Sequence, residues 1–106
     1  MDQLQAVVVL TTWPAGRDVA PLAALVEERL AACVNVLPEM DSIYRWREAV
    51  ERDREHQVFI KTTAARLPDV LDRVRELHPY EVPELLAVPV STGGEAYRSW
   101  LAASTG

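Results

Sequence analysis

Cys33 is the only thiol in the chain, and His56 and His78 are its only imidazoles. Thiolate sulfur and neutral imidazole are the donors that copper and other late divalent cations prefer. Cys33 fits two readings, a soft metal ligand or a small hydrophobe packed in a core. His78 ends an apolar-periodic segment, so ligation and attraction of an imidazolium to a helix C-terminus both account for it. His56 lies in a charged stretch and reads as solvated, and nothing in the sequence places the Met40 thioether beside the other donors. The chain has no Cys-x-x-Cys or His-x-x-x-His spacing of a dedicated site. The expectation is therefore no required cofactor. If copper or another divalent cation binds, His78 and Cys33 are its candidate ligands, and acidification weakens the binding because both must be deprotonated.

Lys61 is the single lysine beside ten arginines, set in the otherwise apolar run Val58-Phe59-Ile60-Lys61. A charged head there needs a partner or an opening to solvent, so it either lines a cleft beside Tyr80 and Glu81 or snorkels from a strand end. Tyr80-Glu81-Val82-Pro83-Glu84 is a stiff connection, since proline holds the residue before it in extended backbone. It sets the entry of the next element or presents Tyr80 and Glu81 at a binding surface. Neither histidine has a recognisable Asp or Glu orienting partner, and Cys33 has no neighbouring His to activate it, so the expectation is that the protein is not an enzyme.

These residues must be placed by a chain of 106 residues, a length that suits one domain over 1–106. Its hydrophobic content of 49% is globular in character. The net charge of −5 argues against nucleic acid and anionic membrane as partners. The lone cysteine and an opening without a basic leader point to the cytoplasm. Leu4 to Thr12 reads as a buried strand closed by Trp13-Pro14. Leu22, Leu25, Val26 and Leu30 share one helical face, predicting a helix over Asp18 to Ala32. Cys33 to Leu37 reads as a strand stopped by Pro38, and Gln57 to Thr63 as a further strand. A second helix starts near Ala65, with Pro68 in its first turn, and ends at His78-Pro79. Leu85 to Val90 reads as a buried strand, and Glu95 to Ala103 as a helix packing Tyr97, Trp100 and Leu101.

Residues 42–56 carry two patterns. Arg47 to Glu55 holds strong helix formers and no turn glycine, yet Ser42 to Trp46 suits a strand. A hairpin supplies the strand Gln57 to Thr63 with a partner and yields the order strand, helix, strand, strand, helix, strand. That order is the α+β, ferredoxin-like split βαβ sandwich with an antiparallel sheet and an added C-terminal helix. The seven charges of Arg47 to Glu55 then make a solvated hairpin tip or pair across subunits. Trp13, Trp46 and Trp100 each fit an ordinary core or a subunit contact, and Trp46 is also a candidate for a cleft. A core this small often gains buried area by oligomerising.

Glu28-Arg29-Leu30-Ala31-Ala32-Cys33-Val34-Asn35, Ser42-Ile43-Tyr44-x-Trp46, Lys61-Thr62 and His78-Pro79-Tyr80-Glu81-Val82-Pro83-Glu84 together resemble the CutA divalent-ion tolerance family, from about Val7 to Trp100. The resemblance implies a ferredoxin-like fold, a homotrimer built through the long hairpin and C-terminal segment, and a role in copper or divalent-cation tolerance without an established reaction. Two departures stand out. The family's hairpin usually reads Tyr-x-Trp-Glu-Gly-Lys, where this chain has Arg47-Glu48-Ala49 after Trp46. Positions that the resemblance associates with copper hold Thr11, Leu77 and His78, so one possible ligand of three remains. The competing expectation is a signalling module that binds small molecules or proteins in intersubunit clefts, as nitrogen-regulatory trimers do. An acylphosphatase-like site would need a phosphate-cradling loop after the first strand, and Trp13-Pro14-Ala15-Gly16-Arg17 offers only one glycine and one arginine.

Overall fold

The structure is a computed structural model and describes residues 2–106. Strand β1 (Ala6–Pro14) leads into a 3-10 turn (Ala20–Leu22) and helix α1 (Ala23–Glu27). A long hairpin follows, β2 (Cys33–Trp46) and β3 (Ala49–Thr63), and then α2 (Leu67–Leu77), β4 (Leu86–Pro89) and α3 (Glu95–Ala103). The sheet order is β2-β3-β1-β4 with every neighbouring pair antiparallel. Each βαβ unit thus encloses a strand of the other, which is the ferredoxin-like arrangement the sequence predicts. At roughly 3.3 Å per residue, strands of this length span about 45 Å, which is why the long axis measures 43 Å.

Alternation sorts the strands into two faces. Val7, Val9, Thr11 and Trp13 of β1 are buried on one of them, opposite Val58, Ile60 and Thr62 of β3. Against this face pack Leu22 and Leu25 from the first helical segment and Val70 and Val74 from α2. The other face carries Val8, Leu10, Phe59 and Lys61. Only α3 reaches it, where Leu101 closes a small cluster with Ala6 and Ala32.

Five local expectations need correction. The first helix is short: Arg29 takes a left-handed φ of 61°, and the N–H groups of Leu30 and Ala31 both turn back to the carbonyl of Leu25. Leu30 stays buried, delivered by this turn and not by a longer helix. Pro38 does not stop β2, because the register shifts between Val36 and Glu39 and an edge strand tolerates a missing donor at such a bulge. His56 faces this bulge half-buried, its Nδ1 2.7 Å from the Leu37 carbonyl oxygen. The segment read as a buried final strand is an exposed edge, with Leu86 57% and Val88 46% accessible. Likewise α3 buries Leu101, while Tyr97 and Trp100 stack on each other at 5.3 Å in the open. Apolar composition marked these last positions for burial, and within one chain nothing covers them.

The hairpin turn is two residues long, since Trp46 pairs with Ala49. Arg47 and Glu48 have φ of 48° and 69°, the doubly left-handed form that suits the twist of a two-residue hairpin. The helix formers of this stretch lose to cross-strand pairing along the full length of β3.

Candidate functional site

The open face of the sheet ends in a cleft of about 560 Å³ beside the outer half of the hairpin. Tyr44 and Trp46, two apart on β2, share a side of the hairpin with Asp53 and Glu55 of β3. The connection after α2 supplies the opposite wall with Tyr80, Glu81 and Glu84, and Thr12, Pro79 and Val82 complete the lining. The stiffness of that connection, read from its prolines, is what allows a loop to serve as a wall.

His78 is the bracket that fixes the loop. Its Nε2 stands 2.6 Å from the Thr12 carbonyl oxygen, and its Nδ1 accepts the Tyr80 backbone N–H at 3.0 Å. These partners set the tautomer, with the proton on Nε2 donated to Thr12. The ring meets Trp13 edge-on at 5.1 Å and Tyr80 at 4.8 Å. Burial holds the imidazole below its ordinary pKa of 6.5, against the opposing pull of the Thr12 carbonyl and the Glu55 carboxylate.

Both phenols donate to carboxylates. Tyr80 reaches Glu55 at 2.8 Å, and Tyr44 bonds Asp53. Burial first, and then the bond to Glu55, push the Tyr80 phenol above its usual range. The hydrogen bond to Asp53 leads the causes that raise Tyr44 to about 12, so both rings stay neutral at physiological pH. Gln57 ties the floor together, donating from Nε2 to the Thr11 carbonyl and to Glu84, each at 2.8 Å.

Of the residues singled out from sequence, Trp46, Tyr80 and Glu81 come together in this cleft. Lys61 stands elsewhere on the open face, with Nζ 5.9 Å from the Tyr97 ring centroid. Cys33 starts β2 opposite Lys61, its Sγ 3.5 Å from Asn35 Oδ1, and so lies away from His78. Thr11 and Leu77 pack as core, Thr11 fully buried and Leu77 against the main cluster. Sequence reasoning passed over Asp53, Glu55 and Glu84. The signal for the first two is the two-residue alternation of Asp53, Glu55 and Gln57, visible once β3 is extended into the charged stretch.

A family model described as CutA1 divalent ion tolerance protein matches residues 7–104. The chain belongs to the CutA1 family. Among its relatives, the divalent-cation tolerance protein CutA of Thermus thermophilus is 48% identical over 100 residues, covering 93% of this chain and 97% of the relative. A solved Cut A1 structure from the same organism superposes with a TM-score of 0.87 at 45% identity, covering 95% of this chain and 99% of that one. A CutA structure from Archaeoglobus fulgidus, described as a periplasmic divalent cation tolerance protein, gives 0.87 at 26% identity over 93% of this chain and 97% of that one. CutA1 membership agrees with the motifs in the order they occur, and with the ferredoxin-like sheet just described.

The family name raises the question of a metal, and the donors of one chain do not fit one. Both nitrogens of His78 are spent on backbone groups. Among the described residues no group of three or more His, Cys, Asp or Glu converges in a way that could hold an ion.

Proposed function

We propose that this CutA1-family chain serves divalent-cation tolerance as a non-enzymatic homotrimer whose clefts bind a ligand. The observation that carries the reading is the open face: Leu86, Val88, Trp100 and Tyr97 are all near half-exposed or more, around a sheet with free edges at β2 and β4. An apolar surface beside unpaired strand edges calls for a partner. Pairing the β2 edge of one copy with the β4 edge of the next is head-to-tail, and such a contact closes into a ring of three where each copy is turned by a third of a circle. The side chains suited to acid–base chemistry are engaged in structural hydrogen bonds, which supports a binding role over a catalytic one. Light scattering at micromolar concentration is expected to give about three times the chain mass of 11.9 kDa. A mass of one chain overturns the assembly.

Metal enters this proposal at the level of the assembly, through His78 and Cys33 only if a neighbouring subunit adds donors. Copper titration of the parent against His78→Ala and Cys33→Ser tests it. Stoichiometric copper lost in either variant assigns that residue as a ligand. Equal binding in all three proteins removes both from the metal reading. No helix among the described residues is long and apolar enough to cross a membrane. We place the single-domain protein in the cytoplasm on its one free cysteine. Cell fractionation checks this placement against the periplasmic description of the Archaeoglobus relative.

A further inference from the structure

We propose that the cleft between the outer half of the hairpin and the loop over residues 79–84 takes a small organic cation, an arylalkylammonium in class. The inference rests on the cleft being a ligand site and adds what the ligand is. Three aromatic rings, Tyr44, Trp46 and Tyr80, stand in its walls, and three carboxylates, Asp53, Glu81 and Glu84, stand with them. Among the described residues no arginine or lysine lines it. The guanidinium of Arg54, on the same stretch of hairpin, is held by Glu39 and Asp41 across the strands. The lining itself is therefore net negative with aromatic faces, Arg47 over the Trp46 ring being the cation at its edge, and that combination attracts a cation carrying apolar surface.

Two features separate an organic cation from a bare metal ion. The carboxylates are dispersed around the cleft, and among the described residues they form no group able to coordinate an ion. Pro79 and Val82 give the lining an apolar portion, which an aryl or alkyl body fills and a hydrated ion does not. The phenols act as props. By donating to Glu55 and Asp53 they engage their hydroxyl hydrogens within the wall, and the ring faces stay electron-rich. The chain also supplies an internal precedent, since the Arg47 guanidinium carbon sits 5.4 Å from the Trp46 ring centroid.

The test is calorimetric titration of the intact protein with three probes of matched shape: phenethylammonium, 2-phenylethanol and 3-phenylpropionate. The cation is expected to bind once per chain, the alcohol about tenfold more weakly, and the carboxylate not at all. Glu81→Gln and Glu84→Gln should each weaken the cation several-fold and leave the alcohol unchanged. Trp46→Leu should weaken both, with light scattering confirming that each variant keeps the parent's mass. Equal affinity for cation and alcohol, or indifference to both glutamine variants, overturns the cationic class. If the alcohol or carboxylate then binds and Trp46→Leu abolishes it, the cleft survives as a ligand site for a different chemistry. If no probe binds protein of unchanged mass, the cation and the ligand-site reading fall together. Zinc ion titrated alone, binding in a way lost on Glu81→Gln and Glu84→Gln but untouched by Trp46→Leu, also overturns the proposal, in favour of a metal.

Discussion

The two faces of the sheet are made from the same kinds of residue and meet opposite fates. On the helix-covered face, Val9, Val58, Ile60, Val70 and Val74 are wholly removed from solvent. On the other, Leu86 and Val88 of β4 are about half-exposed beside half-buried Val8, Leu10 and Phe59. Composition does not distinguish them; cover does. Helices α1 and α2 close the first face within one chain, whereas α3 covers only one end of the second. The first face therefore folds the chain, and the second is left for whatever the chain assembles with or binds.

The largest effect expected from breaking this contrast falls on the covered face. Ile60→Ala removes a fully buried side chain facing α1 and α2 and should cost about 3 kcal/mol, through lost transfer energy and the cavity left behind. Denaturant unfolding at fixed protein concentration reads it, and a cost below about 1 kcal/mol would contradict the core as described. On the open face the same kind of truncation should act differently. Leu86→Ser with Val88→Ser should change the stability of an isolated chain by no more than about 0.5 kcal/mol, as surface substitutions do. It should nevertheless shift the solution mass from three chains toward one. If the double variant keeps the trimer mass, β4 is not at the seam.

How much of this was legible in the sequence follows the same division. Helix-face positions declare themselves by period, so Leu25, Val70 and Val74 are readable as core, and Val9 is readable from its place in a buried strand. The order of elements was readable once the hairpin was preferred over a helix for residues 42–56. Three things were not. Leu85 to Val90 has the composition of a buried strand, and periodicity cannot say whether the covering surface belongs to the same chain. The end of the first helix depends on the left-handed turn at Arg29, a residue type that carries no such signal. In the cleft, Trp46, Tyr80 and Glu81 stand out from sequence, yet Asp53 comes from a strand that only the folded register brings to them. Lys61, marked out by its rarity, stands at the other end of the same face.

A finer test concerns the bracket that joins the faces. His78 is buried with its pKa held below 6.5, so the folded state resists a proton that the unfolded chain accepts. Its contribution to stability is therefore present in full above about pH 6.5 and is lost as pH falls through the lowered folded value. The parent should lose stability as pH falls below about 6.5, and His78→Gln, which keeps a donor for the Thr12 carbonyl, should lose less over the same fall. Parallel curves for the two proteins would show that this imidazole is not what couples the loop to pH. Thermal melts across the range supply the readout. The cleft should respond together with it, since the Tyr80 N–H bonds the same ring.

The smallest effect lies at the hairpin tip, where the chain uses Arg47 and Glu48 in a turn that asks for two left-handed residues. Left-handed backbone costs a side-chain-bearing residue roughly 1–2 kcal/mol, and glycine escapes that cost while losing more entropy on folding. The balance predicts that Glu48→Gly stabilises the hairpin by about 0.5 kcal/mol. Arg47 is left in place because its guanidinium lies over Trp46, and changing it would mix turn strain with the loss of that contact. The gain should appear as slower amide exchange in the outer rungs from Ile43 to Arg52, with little change near Ile60, whose protection comes from the helix-covered face. An unchanged or faster exchange at the tip would mean that cross-strand pairing already absorbs the strain of Glu48, and that the turn follows the hairpin instead of directing it.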